Sequence, residues 1–158
     1  MPGGTGKSVQ WPSPNAVGGK GNEGVAGQVR QTPGAIGYVE LAYALENKMT
    51  QAVLQNRSGK WLLSTASGAK AAAATKKSIS PTDFSIVDTS GDRAWPISGF
   101  SWAMVYERPA DKTRGRLVRD VMTWLVTQGQ PIAGTLNYVP LPANIAEFSR
   151  KQLGRMQV

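Results

Sequence analysis

Short apolar runs, each cut off by Gly or Pro, alternate with stretches of helical spacing along this chain, and that alternation limits the fold more than any other feature. Single strands set between helices bury their apolar faces most simply in an α/β layer architecture. Residues 22–31 read as a short helix with Asn22 as N-cap and Val25, Ala26 and Val29 on one face. Thr32, Pro33 and Gly34 end it. Residues 35–39 form a compact apolar run and read as a buried strand, with Tyr38 in or near the core. A second helix is expected over 40–48. Residues 50–55 and 60–63 read as two strands joined by a turn at Asn56, Arg57, Ser58 and Gly59.

In the second half, 69–75 has high helix propensity but little with which to anchor a core. Residues 84–87 and 98–106 read as strands, the latter the clearer. Leu117, Val118, Val121, Met122 and Leu125 recur at three- and four-residue spacing, which predicts a helix over 112–128, stopped by Gly129 and Pro131. A last amphipathic helix is expected over 143–153, entered through Pro140, Leu141 and Pro142. The only composition shift that suggests a boundary falls near 92–96.

A chain of 158 residues is the size of one ordinary domain. It can bury roughly 68–70% of its unfolded surface when compact. It contains no Cys and no His, which removes Cys/His zinc sites, Cys nucleophiles and Ser-His-Asp triads. A net charge of +8 favours anionic partners, whether nucleic acid, a membrane surface or a small oxyanion. The basic residues are dispersed, however, and only Lys76 and Lys77 stand out as a pair, which is a weak footprint for nucleic acid. That pair, with Arg114 and Arg116, reads as solvated surface. No stretch approaches the roughly 18–20 apolar residues needed to cross a bilayer. Residues 1–7 have no apolar core and do not read as a secretory signal.

Gly4, Thr5, Gly6, Lys7 and Ser8 imitate the end of a P-loop. The full motif needs Gly five places before Gly6, where Met1 stands, and a strand ahead of it. No ATP binding is expected there. Asp83, Asp88 and Asp92 lie loosely spaced among turn residues and read as turns and caps rather than catalysts. Gly18 to Asn22 is more suggestive: successive glycines can turn N–H groups toward one point ahead of a helix start, and Lys20 adds a charge. A tight turn with a helix cap uses the same residues and is the simpler reading. Trp95 and Pro96 suit either a stiff crossover or a packed loop corner.

Four stretches carry a resemblance: residues 18–24 following Val9, Gln10, Trp11 and Pro12; residues 32–40 continued by Ala42, Tyr43 and Ala44; residues 94–98; and residues 137–142. Together they resemble the periplasmic phosphate-binding proteins of phosphate-specific ABC transporters, in that family's order and about its spacing. The resemblance implies a partial type-2 periplasmic-binding-protein fold, α/β, with two lobes joined by a hinge and the amino-terminal part missing. Residues 1–94 would be the latter part of the second lobe, and 95–158 the hinge return and the carboxyl-terminal part of the first. Trp95, Pro96, Ile97 and Ser98 would form the hinge.

The implied function is capture of inorganic phosphate and delivery to permease subunits in the periplasm, with no chemistry, cofactor, nucleic acid or membrane insertion. The Ser, Thr, Asp and Arg motifs that hold phosphate in the family find no match here, so the chain is expected to be truncated and to bind weakly alone. Gly19, Lys20, Gly21 and Asn22 are the candidate ligand-binding residues that remain. A small basic nucleic-acid-binding domain is the competing reading, and it predicts steep salt dependence.

Overall fold

The computed structural model describes residues 11–80 and 82–158. The extended piece expected at 8–11 and the P-loop look-alike at 4–8 fall largely or wholly outside them. Internal contacts divide the chain into two compact units after Thr50. The composition shift at 92–96 lies inside the second.

In the first unit, α1 runs Gly21–Gln31 and α2 runs Leu41–Glu46. Helix α1 ends where Thr32, Pro33 and Gly34 require, with Gly34 in the left-handed region at φ 78°. Its apolar stripe settles over the following segment: a Cβ on Gly37 would lie 2.7 Å from Val29 and 3.1 Å from Val25. Helix α2 is tied back to α1 by side chains. Tyr43 donates to Glu23 Oε1 at 2.7 Å, Arg30 to Asn47 Oδ1 at 3.3 Å, and the Glu40 N–H to Asn22 Oδ1 at 2.9 Å.

Residues 35–39 do not form the expected buried strand. They carry no ladder pairing among the described residues, Ile36 is 97% exposed, and Tyr38 lies against Trp11 at 6.4 Å rather than in a core. An apolar run becomes a strand only beside a partner strand. None is present for it among the described residues.

The second unit opens with an antiparallel ribbon, β1 Leu54–Gln55 and β2 Trp61–Leu62, in the register Leu54↔Leu62 and Gln55↔Trp61. Gly59 supplies the positive φ of 76° that the turn needs. The sheet is shorter than 50–55 and 60–63 suggested. Helix α3 spans Ala66–Ala74, and Thr65 Oγ1 caps it by accepting from the Gly68 N–H at 3.0 Å. Contrary to expectation it does reach a core, through Ala72 and Ala73, both buried.

Residues 84–87 hold no strand, although Ile86 is buried. Residues 98–106 likewise run without regular pairing, and Met104 and Trp102 stand in solvent. The cause is the one that applies to 35–39.

Helix α4 spans Lys112–Leu125, capped by Asp111, whose Oδ1 accepts from the Arg114 N–H at 3.0 Å. It packs on α6, Ala143–Leu153. Pro131 opens a further short helix, α5 Gln130–Thr135, instead of only ending α4. The periodic face read from Leu117, Val121 and Leu125 is present but exposed, Leu117 by 63%. What α4 buries is Gly115, where a Cβ would fall 2.4 Å from Pro109 and 2.8 Å from Val158. Among the described residues no large side chain is fully buried. No described helix is long and apolar enough to cross a membrane.

Candidate functional site

The loop before α1 is built by backbone contact. A Cβ on Gly19 would lie 2.4 Å from the Val25 nitrogen and 2.5 Å from the Gly24 carbonyl carbon, so only glycine lets these two segments cross. Gly21 takes φ 66°, again a glycine conformation. Lys20 occupies the N-cap position, exposed, and makes no side-chain cap hydrogen bond.

Asn22 does not cap the helix as expected. The N-cap falls two residues earlier, at Lys20, and the Asn22 side chain instead accepts from the Glu40 N–H, joining α1 to the entry of α2.

The positive end of α1 already has an anion, which the sequence reading missed. Glu23 accepts from its own backbone N–H and from the Tyr43 hydroxyl, and these two bonds, the backbone one foremost, hold its carboxyl below the usual range. The same contact raises the Tyr43 phenol, because a phenolate beside Glu23 would forfeit the hydrogen bond and meet like charge. An acidic residue in a helix's first turn is a legible signal. Its partner twenty residues on is not.

The second candidate place is the crossover at Trp95, Pro96, Ile97 and Ser98. Trp95 and Ser98 are buried, whereas Ile97 points into solvent. The Trp95 N–H donates to the Gly68 carbonyl at 3.1 Å, the Asp88 N–H to the Pro96 carbonyl at 2.8 Å, and Ser98 Oγ to the Trp95 carbonyl at 2.9 Å. The stretch is therefore packed on the start of α3 and the 88–91 turn.

The carboxylates nearby are structural. Asp83 pairs with Lys76, and Asp88 with Arg57 at 3.4 Å. Lys76 is thus a half-buried ion-pair partner rather than the solvated charge expected of it. Among the described residues no group of three His, Cys, Asp or Glu side chains is placed to hold a metal ion.

These helices, the small sheet and the glycine-built loop make up part of an α/β periplasmic-binding fold. A family model described as a PBP superfamily domain matches residues 4–128, and the chain belongs to that superfamily. Its curated relatives include the phosphate-binding protein PstS of Xylella fastidiosa, 44% identical over 146 residues that cover 91% of this chain and 40% of the relative. The phosphate-binding protein PstS of Pasteurella multocida is 38% identical, covering 94% of the chain and 43% of the relative. That of Methanocaldococcus jannaschii is also 38% identical, covering 92% and 41%. The chain thus spans about two fifths of the length of the relatives it matches.

Proposed function

We propose that this chain supplies part of a periplasmic protein that captures inorganic phosphate and delivers it to ABC-type permease subunits, performing no chemistry. One observation carries the reading: 44% identity, sustained over 91% of the chain, to a protein named for phosphate binding. In this proposal residues 1–94 belong to one lobe and 95–158 return the chain to the other through Trp95, Pro96, Ile97 and Ser98.

Phosphate is gripped best by several charge-assisted hydrogen bonds from N–H, hydroxyl and guanidinium donors. In this reading most of them come from the three fifths of the relatives' length that this chain does not match. Gly19, Lys20, Gly21 and Asn22 then serve as a peripheral ligand loop. Glu23 favours that peripheral role, since an incoming anion at the start of α1 must compete with the chain's own carboxylate.

The test is a chimera of the Xylella relative whose matching 146-residue stretch is replaced by this chain. Phosphate should bind it saturably and hold when salt is raised. A folded chimera that ignores phosphate while the unaltered relative binds it sinks the proposal. Affinity for duplex DNA with a steep salt slope would instead favour a basic nucleic-acid-binding domain.

A further inference from the structure

Asn56 lies in the β1–β2 turn with 5% of its surface exposed, and both ends of its amide are engaged. Its Nδ2 faces three carbonyl oxygens of one distant turn: Gly91 at 2.9 Å, Asp92 at 3.2 Å and Ala94 at 3.2 Å. Its Oδ1 accepts from the Lys60 N–H at 2.9 Å, which fixes the amide's orientation within the hairpin. Two further contacts flank it: the Gly91 N–H donates to Ser58 Oγ at 3.0 Å, and Arg57 pairs with Asp88. Immediately beyond, Trp95 and Ser98 are buried and bonded.

The character of the chain changes after Ser98. A Cβ on Gly99 would meet nothing within 4 Å, and residues 101–104 are exposed without regular pairing.

We propose that Asn56 is a positioning residue for the crossover: it fastens residues 88–98 to the β1–β2 hairpin, so that bending of the connection starts at Gly99 and not within Trp95–Ser98. A buried amide whose donors reach across 35 to 38 residues is costly to leave unsatisfied, and the buried Ala94 carbonyl would lose its donor with it. The crossover is then a rigid post. Two exposed contacts reach across Gly99, from Asn144 Nδ2 to the Lys76 and Lys77 carbonyls and between the Phe84 and Trp102 rings, and a bend there opens them. The consequence for lobe closure rests on reading 95–98 as the connection between lobes. The measurement below needs no phosphate, so the two can fail separately.

The variant is Asn56→Asp, which keeps an acceptor for Lys60 but turns a carboxyl toward three carbonyls. Burial and those oxygens raise such a group's pKa. Protonated, it can still donate to one carbonyl; ionised, it repels all three. Of the charged side chains on the same turns, Arg57 is committed to Asp88, while Lys60, Asp92 and Arg93 are exposed.

Amide hydrogen exchange reads the result. In the unmutated chain the Asp88, Gly91 and Trp95 amides should exchange at least about tenfold more slowly than those of 99–104. At neutral pH Asn56→Asp should remove that difference, and acidification should restore part of it after correction for intrinsic rates. A side chain needed only to fill space would lose protection equally at every pH. The proposal is overturned if the unmutated chain shows no step in protection after Ser98. It is also overturned if the Trp95 amide of Asn56→Asp stays protected at neutral pH, or if its protection does not respond to pH. Should the variant fail to fold, the step in the unmutated chain decides.

Discussion

Replacing Gly19 by Ala sets a methyl group against backbone and nothing else. The new Cβ would sit 2.4 Å from the Val25 nitrogen, 2.5 Å from the Gly24 carbonyl carbon and 2.8 Å from the Val25 Cα, where ordinary contact begins near 3.4 Å. No side chain can rotate away, so the first turn of α1 must move by roughly 1 Å. Overpacking of this kind costs about 1–3 kcal/mol, and the upper end applies because every clashing atom is main chain. The displacement also strains the Gly24 N–H bond to the Lys20 carbonyl and the Glu23–Tyr43 contact.

Two neighbouring glycines are the controls. Neither Gly18 nor Gly27 would bring a Cβ within 4 Å of another atom. Gly18→Ala should therefore be neutral within about 0.5 kcal/mol. Gly27→Ala, inside α1, should stabilise the helix by about 0.8–1 kcal/mol. Amide exchange at Gly24 and Val25 follows the local opening directly. Expected is a faster rate for Gly19→Ala, little change for Gly18→Ala and a slower rate for Gly27→Ala. Equal behaviour of Gly19→Ala and Gly18→Ala would refute the crossing of loop and helix on which the reasoning depends.

Tyr43→Phe removes one of the two hydrogen bonds that hold the Glu23 carboxyl down. The depressed Glu23 pKa contributes stability above the ordinary 4.5 that is lost as pH falls through the folded value, and the raised Tyr43 pKa contributes stability below 10.0 that is lost as pH rises through its own. Helicity of the first unit followed by circular dichroism should decline below about pH 4.5 and above pH 10, and Tyr43→Phe should flatten both limbs. Thr65→Ala, which deletes the α3 cap, should cost about 1 kcal/mol, with Thr65→Ser nearly neutral; matching urea midpoints for all three proteins would contradict the cap. The exposed Ile36, Trp102, Met104, Leu117 and Val121 predict self-association of the chain alone in light scattering, whereas a sharp two-state transition from a monomer would contradict it.

The helices were largely legible because their signals are local. The spacing of Leu117, Val121 and Leu125 marked α4, and the Pro140–Pro142 entry placed α6 at its observed limits. Helix α5 is not legible from Pro131 alone, because proline both stops a helix and suits the first turn of the next. Residues 35–39 and 98–106 depart from the strands their sequence predicts for a different reason. An apolar β-branched run reports that a segment is fit for a sheet, while a sheet also needs partners far away in sequence.

The loop's glycines were visible, but their purpose was not. Gly19 is required by an approach to Gly24 and Val25, and Glu23 answers the helix end through Tyr43. Asn56 looked like ordinary turn chemistry, because nothing local reveals that its amide serves carbonyls some 35 residues away.

In the proposed function this chain is part of a phosphate-capturing protein and holds little of the grip itself. Titration calorimetry with inorganic phosphate, run on the chain alone beside the Xylella chimera, tests it most directly. Loss of several charge-assisted hydrogen bonds, each worth about 1.5–3 kcal/mol, removes most of a micromolar affinity. The chain alone should therefore show a Kd weaker than about 1 mM, and the chimera one in the micromolar range. Low-micromolar binding by the chain alone would contradict the account and place the ligands at Gly19, Lys20, Gly21 and Asn22.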